Sequence, residues 1–89
     1  MRKQNGELPP ATRLSIRQGR NQAPTLEECQ DFVGGYIEVV HLPNGDQLIV
    51  NEEGRMEHLQ LPHNPAASVL ARRNIVGNAL LLQGDARLS

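Results

Sequence analysis

Residues 33–54 read VGGYIEVVHLPNGDQLIVNEEG, two β-branched and apolar runs on either side of Leu42, Pro43, Asn44, Gly45 and Asp46, and that turn decides the fold. Asn44-Gly45 alone points to a two-residue hairpin connection. Pro43 argues against it, because the residue before Asn44 would have to donate a hydrogen bond to the partner strand and proline has no N–H. Pro43 suits the second position of a type I turn, with Asn44 third and Gly45 left-handed in a G1 bulge, so that Leu42 pairs with Asp46. Counting back sets Val40 opposite Leu48, Val39 opposite Ile49, Glu38 opposite Val50 and Ile37 opposite Asn51. A one-residue slip would invert both faces. In this register Tyr36, Val40, Leu42, Leu48 and Val50 share one face; Ile37, Val39 and Ile49 share the other with His41, Gln47 and Asn51. Neither face is polar. If helices cover one, the apolar part of the other is a candidate surface for a partner or a second copy of the chain.

Upstream, TRLSIR at 12–17 alternates Leu14 and Ile16 with Arg13, Ser15 and Arg17, the period of a half-buried strand ending near Gly19. Thr25 with Glu28 forms a capping box ahead of Leu26, Cys29, Phe32 and Val33, which predicts a helix over 26–33. Glu27 and Glu28 suit its macrodipole, and Gly34-Gly35 stop it. Downstream, residues 51–54 end the second hairpin strand, and a connector follows whose Met56, Leu59 and Leu61 dip into the core. Asn64-Pro65 starts a second helix, with Arg72 and Arg73 at its C-terminal end and Asn74 as the left-handed stop. IVGNALLL at 75–82 reads as a final buried strand, with Gly77 marking a bulge or a close backbone approach. Residues 1–10 are expected to form a flexible tail, 11–84 a single α+β domain and 85–89 a second tail. The β-α-β-β-α-β order is that of ferredoxin-like split βαβ units, with strands one and four beside the central hairpin in a four-stranded sheet and both helices on one face. A different strand order built from the same elements is the alternative.

Eighty-nine residues make one small domain, and with one Phe, one Tyr and no Trp its core is aliphatic. Self-association into a homo-oligomer is therefore an expected source of stability. The single Cys29 lies on the apolar stripe of the first helix, where a buried structural thiol is expected, and it has no internal disulfide partner. No apolar run has the length of a signal peptide or membrane span, so the cytoplasm is the expected compartment. The net charge of -1 hides a segregation. Residues 1–24 carry Arg2, Lys3, Arg13, Arg17 and Arg20 against Glu7, a sum of +4. Residues 25–63 carry Glu27, Glu28, Asp31, Glu38, Asp46, Glu52, Glu53 and Glu57 against Arg55, a sum of -7. Residues 64–89 return +2 from Arg72, Arg73 and Arg87 against Asp85.

No catalytic or metal-binding constellation stands out, so neither enzymatic activity nor a cofactor is expected. Glu52 and Glu53 are adjacent, and in an extended strand end they point to opposite sides instead of forming an acid/base pair. Glu57, His58 and His63 match no zinc spacing. Arg13, Arg17 and Arg20 with Arg2 and Lys3 make a cationic strip. Nucleic acid is a poor fit all the same, because the chain is not basic and lacks stacking aromatics. A nucleotide-like anion is an alternative ligand, with the 51–54 turn and the helix start at Asn64 supplying polar groups.

VGGYIEVVHL, LIVNEEG, LPHNPAA and NIVGNALL together resemble a family of small uncharacterised domains of bacterial phages, plasmids and other mobile elements, over roughly residues 12–84. The Asn-Glu-Glu-Gly at 51–54 and the Asn-x-x-Ala formed by Asn64 and Ala67 follow the family's pattern. The resemblance implies an α+β domain of unknown function, often encoded alone as an accessory protein, and brings no catalytic residues. The leading expectation is a non-enzymatic accessory protein of host takeover or counter-defence. It would bind a host or defence protein, in the host bacterial cytoplasm, through its acidic hairpin surface. The alternatives are a binder that sequesters a nucleotide-like molecule and a purely structural or oligomeric accessory protein. The candidate partner or ligand residues are Tyr36, Glu38, Asn51, Glu52, Glu53, Arg55 and Asn64.

Overall fold

A computed structural model describes residues 12–19, 22–54 and 61–88. The elements follow in the order β1 (Leu14–Arg17), α1 (Leu26–Val33), β2 (Ile37–His41), β3 (Gln47–Asn51), α2 (Pro65–Ala71) and β4 (Ala79–Leu82), closing with one 3-10 turn at Gly84–Ala86. The α+β class, the element order and the four-stranded sheet are those expected from the sequence. So is the hairpin. Leu42 donates to the Asp46 carbonyl at 2.9 Å, Gly45 donates to the Leu42 carbonyl at 3.0 Å, and Gly45 is left-handed at φ 93°. The bulged turn sets the pairing of Ile37 with Asn51, Glu38 with Val50, Val39 with Ile49 and Val40 with Leu48.

The sheet order is β1-β4-β3-β2, with β4 parallel to β1 and antiparallel to β3. This corrects the expectation that β1 would lie beside the hairpin: β4 takes that place and β1 is an edge. The reason is in the side chains. Ala79, Leu80, Leu81 and Leu82 are all buried, so β4 needs apolar cover on both faces and a place inside the sheet. β1 is apolar on one face only, and at the edge its Ile16 remains 54% exposed while Leu14 packs on the core.

The helices lie on opposite faces, which corrects the single-sided arrangement. Ala67 and Ala71 of α2, with Ile75, pack against Leu48, Val50, Ala79 and Leu81. Cys29, Phe32 and Val33 of α1 pack against Ile49, Leu80 and Leu82. The two apolar hairpin faces are thereby accounted for, because each meets a helix of its own.

α1 begins in the expected capping box, with Glu28 N–H donating to Thr25 Oγ1 at 3.0 Å and Thr25 N–H to Glu28 Oε1 at 2.9 Å, and ends at left-handed Gly34. α2 stops two residues earlier than expected. Arg72, with φ 57°, is the left-handed residue in place of Asn74. The chain turns there so that Ile75 N–H reaches Ser68 Oγ at 2.8 Å and the Ile75 carbonyl accepts from Asn64 N–H at 2.9 Å. β4 likewise starts later than expected, since Val76 forms an isolated bridge with His63 and Gly77 is left-handed. The expected C-terminal tail packs instead. Ala86 is buried, and Leu88 exchanges hydrogen bonds of 2.6 and 2.9 Å with the Gln47 side chain. Residues 1–10 and the connector side chains Met56 and Leu59 lie outside the described residues. Among the described residues no helix is long and apolar enough to cross a membrane.

Cys29 is fully buried, as its place on the helix stripe implied. Burial raises the thiol pKa above its ordinary 9.0; the Glu28 carboxylate adds to the rise and Arg17 offsets part of it. The unfolded chain therefore loses this proton first. The resulting stability is fully present below the unfolded pKa and is lost as pH rises through the folded one. Urea midpoints taken from neutral pH upward should fall beyond about pH 9.0 in the native protein and fall less in Cys29→Ala.

Candidate functional site

The end of α1 and the end of β3 are tied together by one side chain. Asn51 is 6% exposed; its Nδ2 donates to the Val33 carbonyl at 3.1 Å, and its Oδ1 accepts from Glu53 N–H at 2.8 Å. Gly34 and Gly35 both donate to the Gln30 carbonyl, turning the chain from α1 into β2, and Glu52 N–H donates to the Tyr36 carbonyl at 2.8 Å. A side chain at residue 35 would stand 3.0 Å from Asn51 Nδ2, so glycine lets the loop close on the asparagine. These ties leave an open concavity of about 430 Å³ lined by Gln30, Asp31, Gly34, Gly35, Tyr36 and Glu53. Tyr36 is 66% exposed. The lining holds two carboxylates, and no cation among the described residues.

A second, narrower cleft of about 40 Å³ lies between Glu38 and Arg73, with Asn51, Glu52, Gly54 and Asn74 in its wall. Arg73 donates to Glu38 Oε2 at 2.9 Å. Both side chains are about one-third exposed, so solvent screens the pair and it contributes on the order of 0–1 kcal/mol. The cleft has room for a few waters.

The candidate residues from the sequence are thus divided. Tyr36 and Glu53 line the open concavity, while Glu38, Asn51 and Glu52 line the narrow cleft. Asn51 spends its side chain on the scaffold, and Arg55 lies outside the described residues. Asn64 is removed from both and is 2% exposed. Its Oδ1 caps α2 through Ala67 N–H at 3.1 Å, and its Nδ2 donates to the carbonyls of Gly77 at 2.8 Å and Arg13 at 3.1 Å. It has no polar group left for a ligand, which corrects the expectation that this helix start would offer one. Gln30, Asp31 and Arg73 line the two sites and were not singled out. Asp31 is an ordinary exposed helix carboxylate in sequence, and its meeting with Glu53 requires α1 to be placed on the sheet.

Gly54, which closes the Asn-Glu-Glu-Gly turn, is likewise scaffold. A Cβ at Gly54 would stand 3.0 Å from Val76 Cγ2 and 3.2 Å from the Asn51 carbonyl, so a side chain there would force the turn off the 75–78 loop. Glu57 and His58 lie outside the described residues, and His63 Nδ1 is engaged with Asn74 Oδ1 at 2.8 Å. Among the described residues no group of three His, Cys, Asp or Glu side chains is placed to hold a metal ion.

Fold and site together define a small α+β domain with a mixed sheet covered on both faces and an acidic concavity beside the first hairpin strand. The chain belongs to the family described as domain of unknown function DUF3846, whose model matches residues 4–87. No curated protein and no solved structure matches it significantly.

Proposed function

We propose that the chain is a non-enzymatic accessory protein of a phage or mobile element that binds a host or defence protein in the host cytoplasm, with its acidic concavity receiving a basic side chain of that partner. The concavity carries this reading: Asp31 and Glu53 face one opening beside exposed Tyr36. At about 430 Å³ it exceeds the volume of an arginine or lysine side chain, and Arg is among the commonest anchors of protein interfaces. The carboxylates, with Glu52 exposed on the same turn, would also speed encounter with a basic surface. The phage or mobile-element setting rests on the resemblance carried by residues 12–84. The nucleotide alternative fits less well. A phosphate in the larger concavity would meet two carboxylates, and the cleft beside Arg73 is too small for a nucleotide.

Capture from host lysate by the native protein and by Asp31→Lys/Glu53→Lys tests the reading. A specific host protein should be retained by the first, released by moderate salt, and bound at least about tenfold more weakly by the second. Equal capture of that protein by both would remove the concavity from the interface.

A further inference from the structure

We infer that two copies of this chain pair antiparallel through the outer edges of β2, about a two-fold axis at Val39, joining their sheets into one. The observation is the hydrogen-bond pattern of the hairpin. Tyr36 with Glu52 and Leu42 with Asp46 are backbone-bonded pairs, so by the alternation of an antiparallel ladder Glu38 and Val40 also direct their N–H and C=O groups at β3. Ile37, Val39 and His41 then direct theirs outward, and among the described residues β2 has no neighbour on that side.

This row is complementary to itself. Set antiparallel, Ile37 of one copy exchanges both hydrogen bonds with His41 of the second, Val39 with Val39, and His41 with Ile37. Side chains agree with the same register. Glu38 stands opposite Val40, so no like charges face each other. Tyr36, the most exposed aromatic at 66%, stands opposite Leu42. Val39 against Val39 extends the apolar layer under α1.

Charge selects this edge over the other. Exposed sheet edges are commonly guarded by free charges, proline or bulges. Between Ile37 and His41 there is no proline, lysine or bulge, and the one carboxylate, Glu38, is held by Arg73 of its own chain at 2.9 Å. β1 is shorter, with Arg17 in the strand and exposed Arg13 just before it. The pairing shares only Tyr36 with the acidic concavity, whose carboxylates Asp31 and Glu53 take no part in it, so the variants that test the partner leave the dimer contacts in place.

A five-residue pairing covers less than a standard interface, so the dimer is expected to dissociate at roughly micromolar to tens of micromolar concentration. Sedimentation equilibrium from about 5 μM to about 1 mM should follow a monomer–dimer equilibrium. His41→Pro removes only an outward N–H on an exposed residue, leaves the β2–β3 bonds intact, and should weaken the dimer at least about tenfold. Val39→Cys should give a disulfide-linked dimer on mild oxidation, and Ile16→Cys on β1 should not. A monomer throughout the range overturns the inference. So does a dimer indifferent to His41→Pro, a dimer lacking the Val39→Cys cross-link, or cross-linking at Ile16→Cys instead.

Discussion

Asn64→Ala should lower the unfolding free energy by about 3 kcal/mol, a large fraction of what a small domain has. The loss has separate sources. The α2 cap through Ala67 N–H disappears, at about 1 kcal/mol. The buried Gly77 carbonyl loses its Nδ2 donor, a further 1–2 kcal/mol or so. The Arg13 carbonyl loses less, because it keeps a bond from Ala79 N–H at 2.9 Å. Asn64→Asp separates these parts. It retains the capping oxygen but sets a carboxylate against two carbonyl oxygens, which raises its pKa, so its stability is best at low pH and declines as pH rises through the carboxyl's titration. Asn64→Ala should show no such pH dependence. Urea unfolding at two pH values distinguishes them, and an Asn64→Ala loss below about 1 kcal/mol would show that the three-way contact is not what holds the 75–78 loop to β1 and α2.

Leu48→Ala and Ile49→Ala should each cost about 3 kcal/mol. The two residues are adjacent, point to opposite sides of the sheet and are both fully buried, Leu48 in the α2-side cluster and Ile49 in the α1-side cluster. In a sheet with helices on one face, one of the two would be a solvent-side residue and its truncation would cost a few tenths of a kcal/mol. Similar denaturant midpoints for the two variants are therefore a direct reading of the two-sided core. A nearly native midpoint for either would place both helices on the other face.

What was legible in the sequence was local. Thr25 with Glu28, Asn64 with Pro65, and Pro43-Asn44-Gly45 each act through backbone groups within a few residues, and each appears where its signal put it. The hairpin register followed because one turn type fixes every pairing above it. The sheet order was less legible, although Ala79 to Leu82 carried the clue: four consecutive apolar side chains require cover on both faces, and only an interior strand has it. The end of α2 was misplaced because the turn at Arg72 answers to Ser68 and Asn64 in space, with no breaker in sequence to announce it. For the candidate site, acidic composition pointed to the stretch that lines the concavity, without the residue it meets there. Asp31 and Glu53 are 22 positions apart and meet only once α1 docks on the sheet, and the Glu38–Arg73 pair spans 35 positions.

The parallel pairing of β1 with β4 also sets the tempo of folding. Leu14 meets Ala79 across most of the chain, while the β2–β3 hairpin closes over a handful of residues. Closing a loop of that length costs entropy before any contact offsets it, so the hairpin is expected to form early and β1 to join the finished edge last. Of the two edge strands β1 is the shorter and leaves Ile16 in water, so it is expected to be the easier to release. Detaching it would uncover the backbone edge of β4, an all-apolar strand, so loss of β1 is expected to leave an unpaired edge open to other chains.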